Sequence, residues 1–168
     1  MMQDILKRLE QTRNELTQII EQVPVHLFNL PEREGAWSIG QVCQHLVMTE
    51  LLFTKAIKQG LAADDLNAPS RRIDLLANEK RKFESPDFAK PQKDEVLTYE
   101  IMNKKLTETR RSLLNVIEGE EDLTIFNRKA AKHPFFEELS LKQWIELLYI
   151  HEARHISQIL RIKRLLES

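Results

Sequence analysis

The sequence predicts a single all-α domain, a four-helix bundle spanning residues 1–168. Three observations carry that prediction. Four long segments repeat apolar side chains every three or four positions, the spacing of one helical face. Two Ser-x-x-Gln stretches, at 38–41 and 140–143, match the capping box that opens a helix. Glycine is scarce, at 4, and Lys, Glu, Gln, Leu and Ala fill the long segments, which favours helix on intrinsic propensity. The length suits one sizeable core.

The first helix is expected over about 4–22, with Ile5, Leu9, Leu16, Ile19 and Ile20 on one face, until Pro24 ends it. Residues 27–37 carry Asn29, Pro31 and Gly35 with few periodic apolar positions and read as a loop. The second helix starts at the Ser38 box. Its stripe runs Val42, Leu46, Thr49, Phe53 and Ile57, with His45 on the flank, and Gly60 is its expected stop.

From 61 to 93 the pattern loosens around Pro69, Pro86 and Pro91, leaving one short helical fragment near 73–80. A crossover this long lets the second and third helices run parallel instead of up and down. The third helix is expected over 94–118, with Val96, Tyr99, Ile101, Met102, Leu106, Leu113, Leu114 and Ile117 as core positions and Gly119 as its stop. A second irregular stretch follows, in which Pro134 pushes His133 toward an extended conformation. The last helix opens at the Ser140 box and reaches about residue 166. Leu141, Trp144, Ile145, Leu148, His151, His155, Ile159, Ile162 and Leu166 share its core face.

His151 and His155 thus occupy slots where the pattern calls for an apolar side chain. Four residues apart, their Cβ atoms lie about 6 Å from one another on one face, close enough for two imidazoles to converge on one ion. Leaving each ring unsatisfied in a core costs about 1–3 kcal/mol. His45, about two turns into the other capped helix, is the natural third ligand. Three neutral imidazoles and a water would form an open site suited to one divalent ion, zinc or nickel. The other reading is one hydrogen-bonded core histidine beside a partly exposed one. Residues 151–155 also match H-E-x-x-H, which makes Glu152 a candidate general base. Against a protease stand the chain's end thirteen residues beyond His155, with no later histidine, and the lack of a strand pattern to align a peptide. The preferred reading of Glu152 is a solvated or supporting carboxylate, with the base as the alternative. His133 falls where it could reach a cavity rim.

A formal charge of −1 gives no broad attraction for nucleic acid or an anionic membrane. The basic run Lys80, Arg81, Lys82 lacks interleaved aromatic residues for stacking bases and reads as solvated. No stretch approaches the ~20 apolar residues of a membrane span, and Met1, Met2, Gln3, Asp4 lacks the order of a secretion signal, so the expected compartment is the cytoplasm. Cys43 has no cysteine to pair with and lies about 200° around the helix from His45, so it is expected to be a buried thiol outside the metal site.

Residues 37–46, from Trp37 through the Ser38 box to His45 and Leu46, followed by Glu50, resemble the start of the second helix in the DinB/YfiT-like superfamily. His133-Pro134, then Glu138-Leu139-Ser140, then His151 and His155 resemble its YfiT branch in order and spacing. The resemblance implies a four-helix bundle, often dimeric, binding a metal through one histidine of the second helix and two of the fourth; His45, His151 and His155 fill those positions. Its members include thiol S-transferases using bacillithiol or mycothiol, a maleylpyruvate isomerase and hydrolases. The function expected here is a metal-dependent transferase or hydrolase acting on a small molecule, such as a low-molecular-weight thiol. A non-catalytic, metal-stabilised dimer is the alternative from another class.

Overall fold

The Ser38 hydroxyl accepts the amide of Gln41 at 3.2 Å, and the Gln41 side chain accepts the amide of Ser38 at 3.0 Å, so the predicted capping box starts a helix. The computed structural model describes residues 1–64, 68, 70–78, 84–92 and 95–168. Its long helices are α1 (Met2–Glu21), α3 (Ile39–Ala62), α4 (Tyr99–Glu118) and α6 (Leu141–Glu167), with short helices α2 (Val25–Phe28) and α5 (Ile125–Arg128) between them. Among the described residues, no helix is long and apolar enough to cross a membrane.

The long helices form a bundle with two parallel neighbours. Gly40 faces Leu97, Gln44 bonds Glu95 at 2.6 Å, and Glu50 meets Arg110, so α3 and α4 run in the same direction. His45 of α3 meets His151 of α6 while Gly60 packs on Leu141, so those two run oppositely. The α1 side chains Ile5 and Leu9 share one apolar cluster with Leu141, Ile145 and Leu148, whereas Leu16 and Ile20 share the other with Ile156, Ile159 and Ile162. Helices α1 and α6 are therefore parallel too. The long crossover makes the α3–α4 arrangement feasible by carrying the chain back along the bundle before α4 begins.

Several local expectations give way. Residues 25–28 form α2 and bury Leu27 and Phe28, so the loop predicted over 27–37 begins two residues later. Gly60 does not end α3, which continues to Ala62. Glycine is needed there for space, because a Cβ would lie 2.5 Å from a Leu141 methyl and 3.0 Å from the Ala130 carbonyl. The predicted start of the third helix at Asp94 lies outside the described residues, as does the basic run 80–82. Thr98 caps α4, accepting the Ile101 amide at 3.2 Å. Residues 95–98 are not helical, which leaves Val96 77 % exposed, and Ile101, within α4 beside the fully buried Met102, faces outward at 41 % instead of entering the core.

The fragment near 73–80 is a 3-10 turn over Ile73–Ala77, and a second such turn covers Asp87–Ala89. Irregular structure predicted ahead of α6 contains an antiparallel hairpin, β1 (Ala130–His133) with β2 (Glu137–Ser140), pairing Ala130 with Ser140 and His133 with Glu137. Four-residue strands are too short to show a period of two. At the second box, Ser140 accepts the Gln143 amide at 3.2 Å, but Gln143 does not reach back to it. Its side-chain oxygen accepts the Arg71 amide at 3.1 Å, and its nitrogen donates to the Arg71 carbonyl at 2.7 Å, which clamps the crossover onto α6.

Gly60→Ala is expected to destabilise the protein by about 1–3 kcal/mol, since Leu141 can swing away but the Ala130 backbone cannot. Urea unfolding monitored by circular dichroism measures it; an unchanged midpoint would show that the hairpin yields freely.

Candidate metal centre

His45 sits in the second turn of α3, 4 % exposed, with its Nδ1 2.7 Å from the Ala89 carbonyl in the crossover. A carbonyl only accepts, so Nδ1 carries the proton and Nε2 presents a lone pair. His155 places Nδ1 2.7 Å from the side-chain oxygen of Gln158, which fixes the same tautomer. Both Nε2 atoms point at Nε2 of His151, each at 3.1 Å. One proton on His151 could satisfy only one of them. The set therefore carries a surplus of converging lone pairs and suits a cation; nitrogens bound tetrahedrally to zinc stand roughly 3.3 Å apart.

The surroundings keep the rings in the neutral form that binds metal. Burial lowers the His45 pKa, partly opposed by the Ala89 hydrogen bond. Burial, then the positive charge of a protonated His155 or His45, holds His151 well below the ordinary histidine range. For His155, burial and then His45 lower the value to about 3. The Nδ1 protons of His45 and His155 are held by Ala89 and Gln158, so the groups that orient these two ligands are already in place. Cys43 is fully buried, and burial pushes its thiol up to about 12, so it stays protonated outside the cluster.

The triad opens into a cleft of about 1330 Å³ between α3, α6, the crossover and the hairpin. Trp37 stands 5.1 Å from His45 along its wall. Thr49, one turn after His45, lines the cleft, and its buried hydroxyl has no hydrogen-bond partner among the described residues. His133, the rim candidate, is 6 % exposed on the same wall. Its Nδ1 accepts the Phe135 amide at 3.1 Å, and burial alone lowers its pKa to about 4.

Glu152 does not fit a general-base role. One residue is a 100° turn on a helix, so next to a cleft-facing His151 it enters the bundle core. There Thr12 donates to it at 2.5 Å, Arg13 at 2.7 Å and Arg110 at 3.4 Å. Glu50 completes the group, accepting from Arg110 at 2.6 Å and from Arg13. The H-E-x-x-H match thus separates into two cleft histidines and one core carboxylate. The hairpin supplies strands that the sequence pattern did not show, but Glu152 does not face them.

Sequence reasoning missed this four-residue charge layer, although a signal existed. Leu9, Arg13, Leu16 and Ile20 keep the spacing of a buried stripe, and so do Leu106, Arg110, Leu113 and Ile117. Arginine in an apolar slot on two helices, with Glu50 and Glu152 in matching slots on the others, is a pattern of compensating buried charge.

The model for the DinB superfamily matches residues 8–159. An uncharacterized protein of Bacillus subtilis (strain 168), YuaE, is 29% identical over 134 residues, covering 78% of this chain and 80% of its own. The four-helix bundle protein TT2238 superposes with a TM-score of 0.66 at 23% identity, covering 96% of this chain and 99% of that one. YfiT from Bacillus subtilis, described as a probable metal-dependent hydrolase with an unusual four-helix bundle topology, gives a TM-score of 0.66 at 17% identity, covering 98% and 87%.

Glu152→Gln should cost about 3–5 kcal/mol, as expected when one partner of a buried ion pair is removed, yet leave metal affinity within about threefold. Urea unfolding and zinc titration measure the two effects; lost affinity in a folded variant would show that the charge of Glu152, and not its shape alone, holds the ligand helices in position. The metal-free protein should also weaken in acid. Folded-state pKa values lie below the unfolded value of 6.5, so the unfolded chain binds more protons between them and stability falls with pH. The His133 contribution is complete above pH 6.5 and is lost as pH falls toward about 4, at up to about 1.4 kcal/mol per pH unit. His133→Phe should flatten that slope by about one proton in urea unfolding from pH 7 to 5.

Proposed function

The chain belongs to the DinB superfamily, and from that premise we propose that it is a metal-dependent enzyme of small molecules, a thiol S-transferase or hydrolase, with zinc or nickel bound by His45, His151 and His155. The observation that carries this reading is the convergence of Nε2 atoms on His151 while the outward protons of His45 and His155 are already engaged. When bound, the ion would lower the pKa of a coordinated water or thiol, furnishing a nucleophile near neutral pH.

The protein residues supply position and exclusion. Ala89 and Gln158 hold the ligand tautomers, so neither ring must reorient to bind. Trp37, Phe53 and Trp144 give the cleft apolar walls that keep bulk water from the reacting groups. The cleft has ample room for a small molecule and opens directly onto the triad, which favours a catalytic over a purely structural centre.

Zinc added to the metal-free chain at a hundred times Kd should stabilise it by about 2.7 kcal/mol, raising Tm by roughly 5–10 °C for a domain of this size. His155→Ala should abolish that shift and turnover of a thiol or ester substrate while melting close to the metal-free parent. A parent that binds no divalent ion overturns the proposal. A metal-bound parent without turnover across thiols, epoxides and esters would favour a structural centre.

A further inference from the structure

Toward the hairpin, the cleft becomes an aromatic chamber. Around the His133 ring stand Trp144 at 4.7 Å, Phe136 at 5.2 Å, Phe53 at 5.8 Å and Phe135 at 5.9 Å between ring centres. The Phe135 amide donates to Nδ1, so the one proton of this neutral imidazole resides on Nε2. Nε2–H has no partner among the described residues, and His133 lines the cleft. The Phe135 amide thus holds a donor toward the cleft among aromatic rings, where it is available to an acceptor on a bound molecule.

Thr49 provides an independent sign. Thr54 and Thr107 each return their hydroxyls to the carbonyl four residues earlier at 2.8 Å, the usual solution within a helix. Thr49 does not, although it is helical and, like Thr54, buried. It lies one turn from His45 and one turn from Phe53 on the same face of α3, about 6 Å from each along the axis. Its hydroxyl therefore stands between the triad and the chamber. Arg161 and Arg164 line the cleft beyond His155, on the side away from Trp144, and Arg154 donates to the carbonyls of Leu76 and Asn78.

We propose that this chamber is the substrate-recognition subsite, taking an uncharged apolar group with a hydrogen-bond-accepting oxygen, to which Nε2–H of His133 donates, while the Thr49 hydroxyl contacts the stem leading to the triad. The substrate class this adds to the preceding reading, on which it rests, is an apolar carbonyl, ester or ether compound. His133 is a binding and orienting residue here, with no proton transferred.

The test uses acetophenone, with ethylbenzene as the isostere lacking the acceptor, on the full chain with and without zinc. Long-range nitrogen–proton NMR should show His133 protonated at Nε2, and acetophenone should shift that signal. Acetophenone should bind up to roughly tenfold tighter than ethylbenzene, the net worth of about one hydrogen bond. His133→Phe should keep ethylbenzene affinity within about twofold and erase the preference. Thr49→Val should raise Tm, by removing an unsatisfied hydroxyl, and weaken acetophenone several-fold. A proton on Nδ1, equal affinities in the parent, or a preference surviving in His133→Phe overturns the proposal. If His133→Phe does not fold, the tautomer and Thr49→Val decide. Because binding is also read without zinc, failure of the metal reading and failure of the subsite give different results.

Discussion

Arg13 of α1 and Arg110 of α4 each reach across the bundle to a carbonyl of the other's helix, Leu106 for the first and Leu9 for the second, while both bind Glu50 of α3 and Glu152 of α6. Every long helix contributes one charge, and the layer is formally neutral. It divides the apolar interior into two clusters, one around Leu16, Val42 and Ile159, the other around Leu9, Ile57 and Ile145. Apolar stripes alone tolerate sliding by a turn; two guanidinium groups shared between two carboxylates do not, because displacement strands a buried charge.

The layer also places the triad. Glu152 lies between His151 and His155, and Glu50 follows His45 by five residues. Fixing both carboxylates in the core fixes the rotation of α3 and α6, and helical geometry then turns the histidines toward the cleft. Stability and ligand geometry thus share one set of contacts. This coupling explains why the core face read from the sequence of α6 includes residues that are partly open to the cleft.

The long-range plan was legible because it rests on periodicity and on side-chain chemistry close in sequence. Stripes gave four long helices, the crossover length allowed parallel α3 and α4, and the i, i+4 histidines gave half the triad. The capped second helix made His45 a candidate, and the family resemblance made it an expected ligand, since no local pattern brings α3 against α6. What escaped was set by partners distant in the chain. Gly60 reads as a stop until Leu141 and Ala130 fill the space beside it, Gln143 reads as a cap until Arg71 claims its side chain, and Glu152 reads as a base until two arginines approach from other helices. The hairpin strands were too short to announce themselves.

The hydrogen bond from His45 to the Ala89 carbonyl joins the most regular part of the molecule to its least regular part. The crossover forms a wall of the cleft and also sets the proton position and ring angle of a triad member. Sequence drift there would be felt twice, in which molecules enter and in how strongly the centre holds its ion. Selection on either property constrains the other, so divergence of specificity among relatives built this way should carry a correlated drift in metal preference.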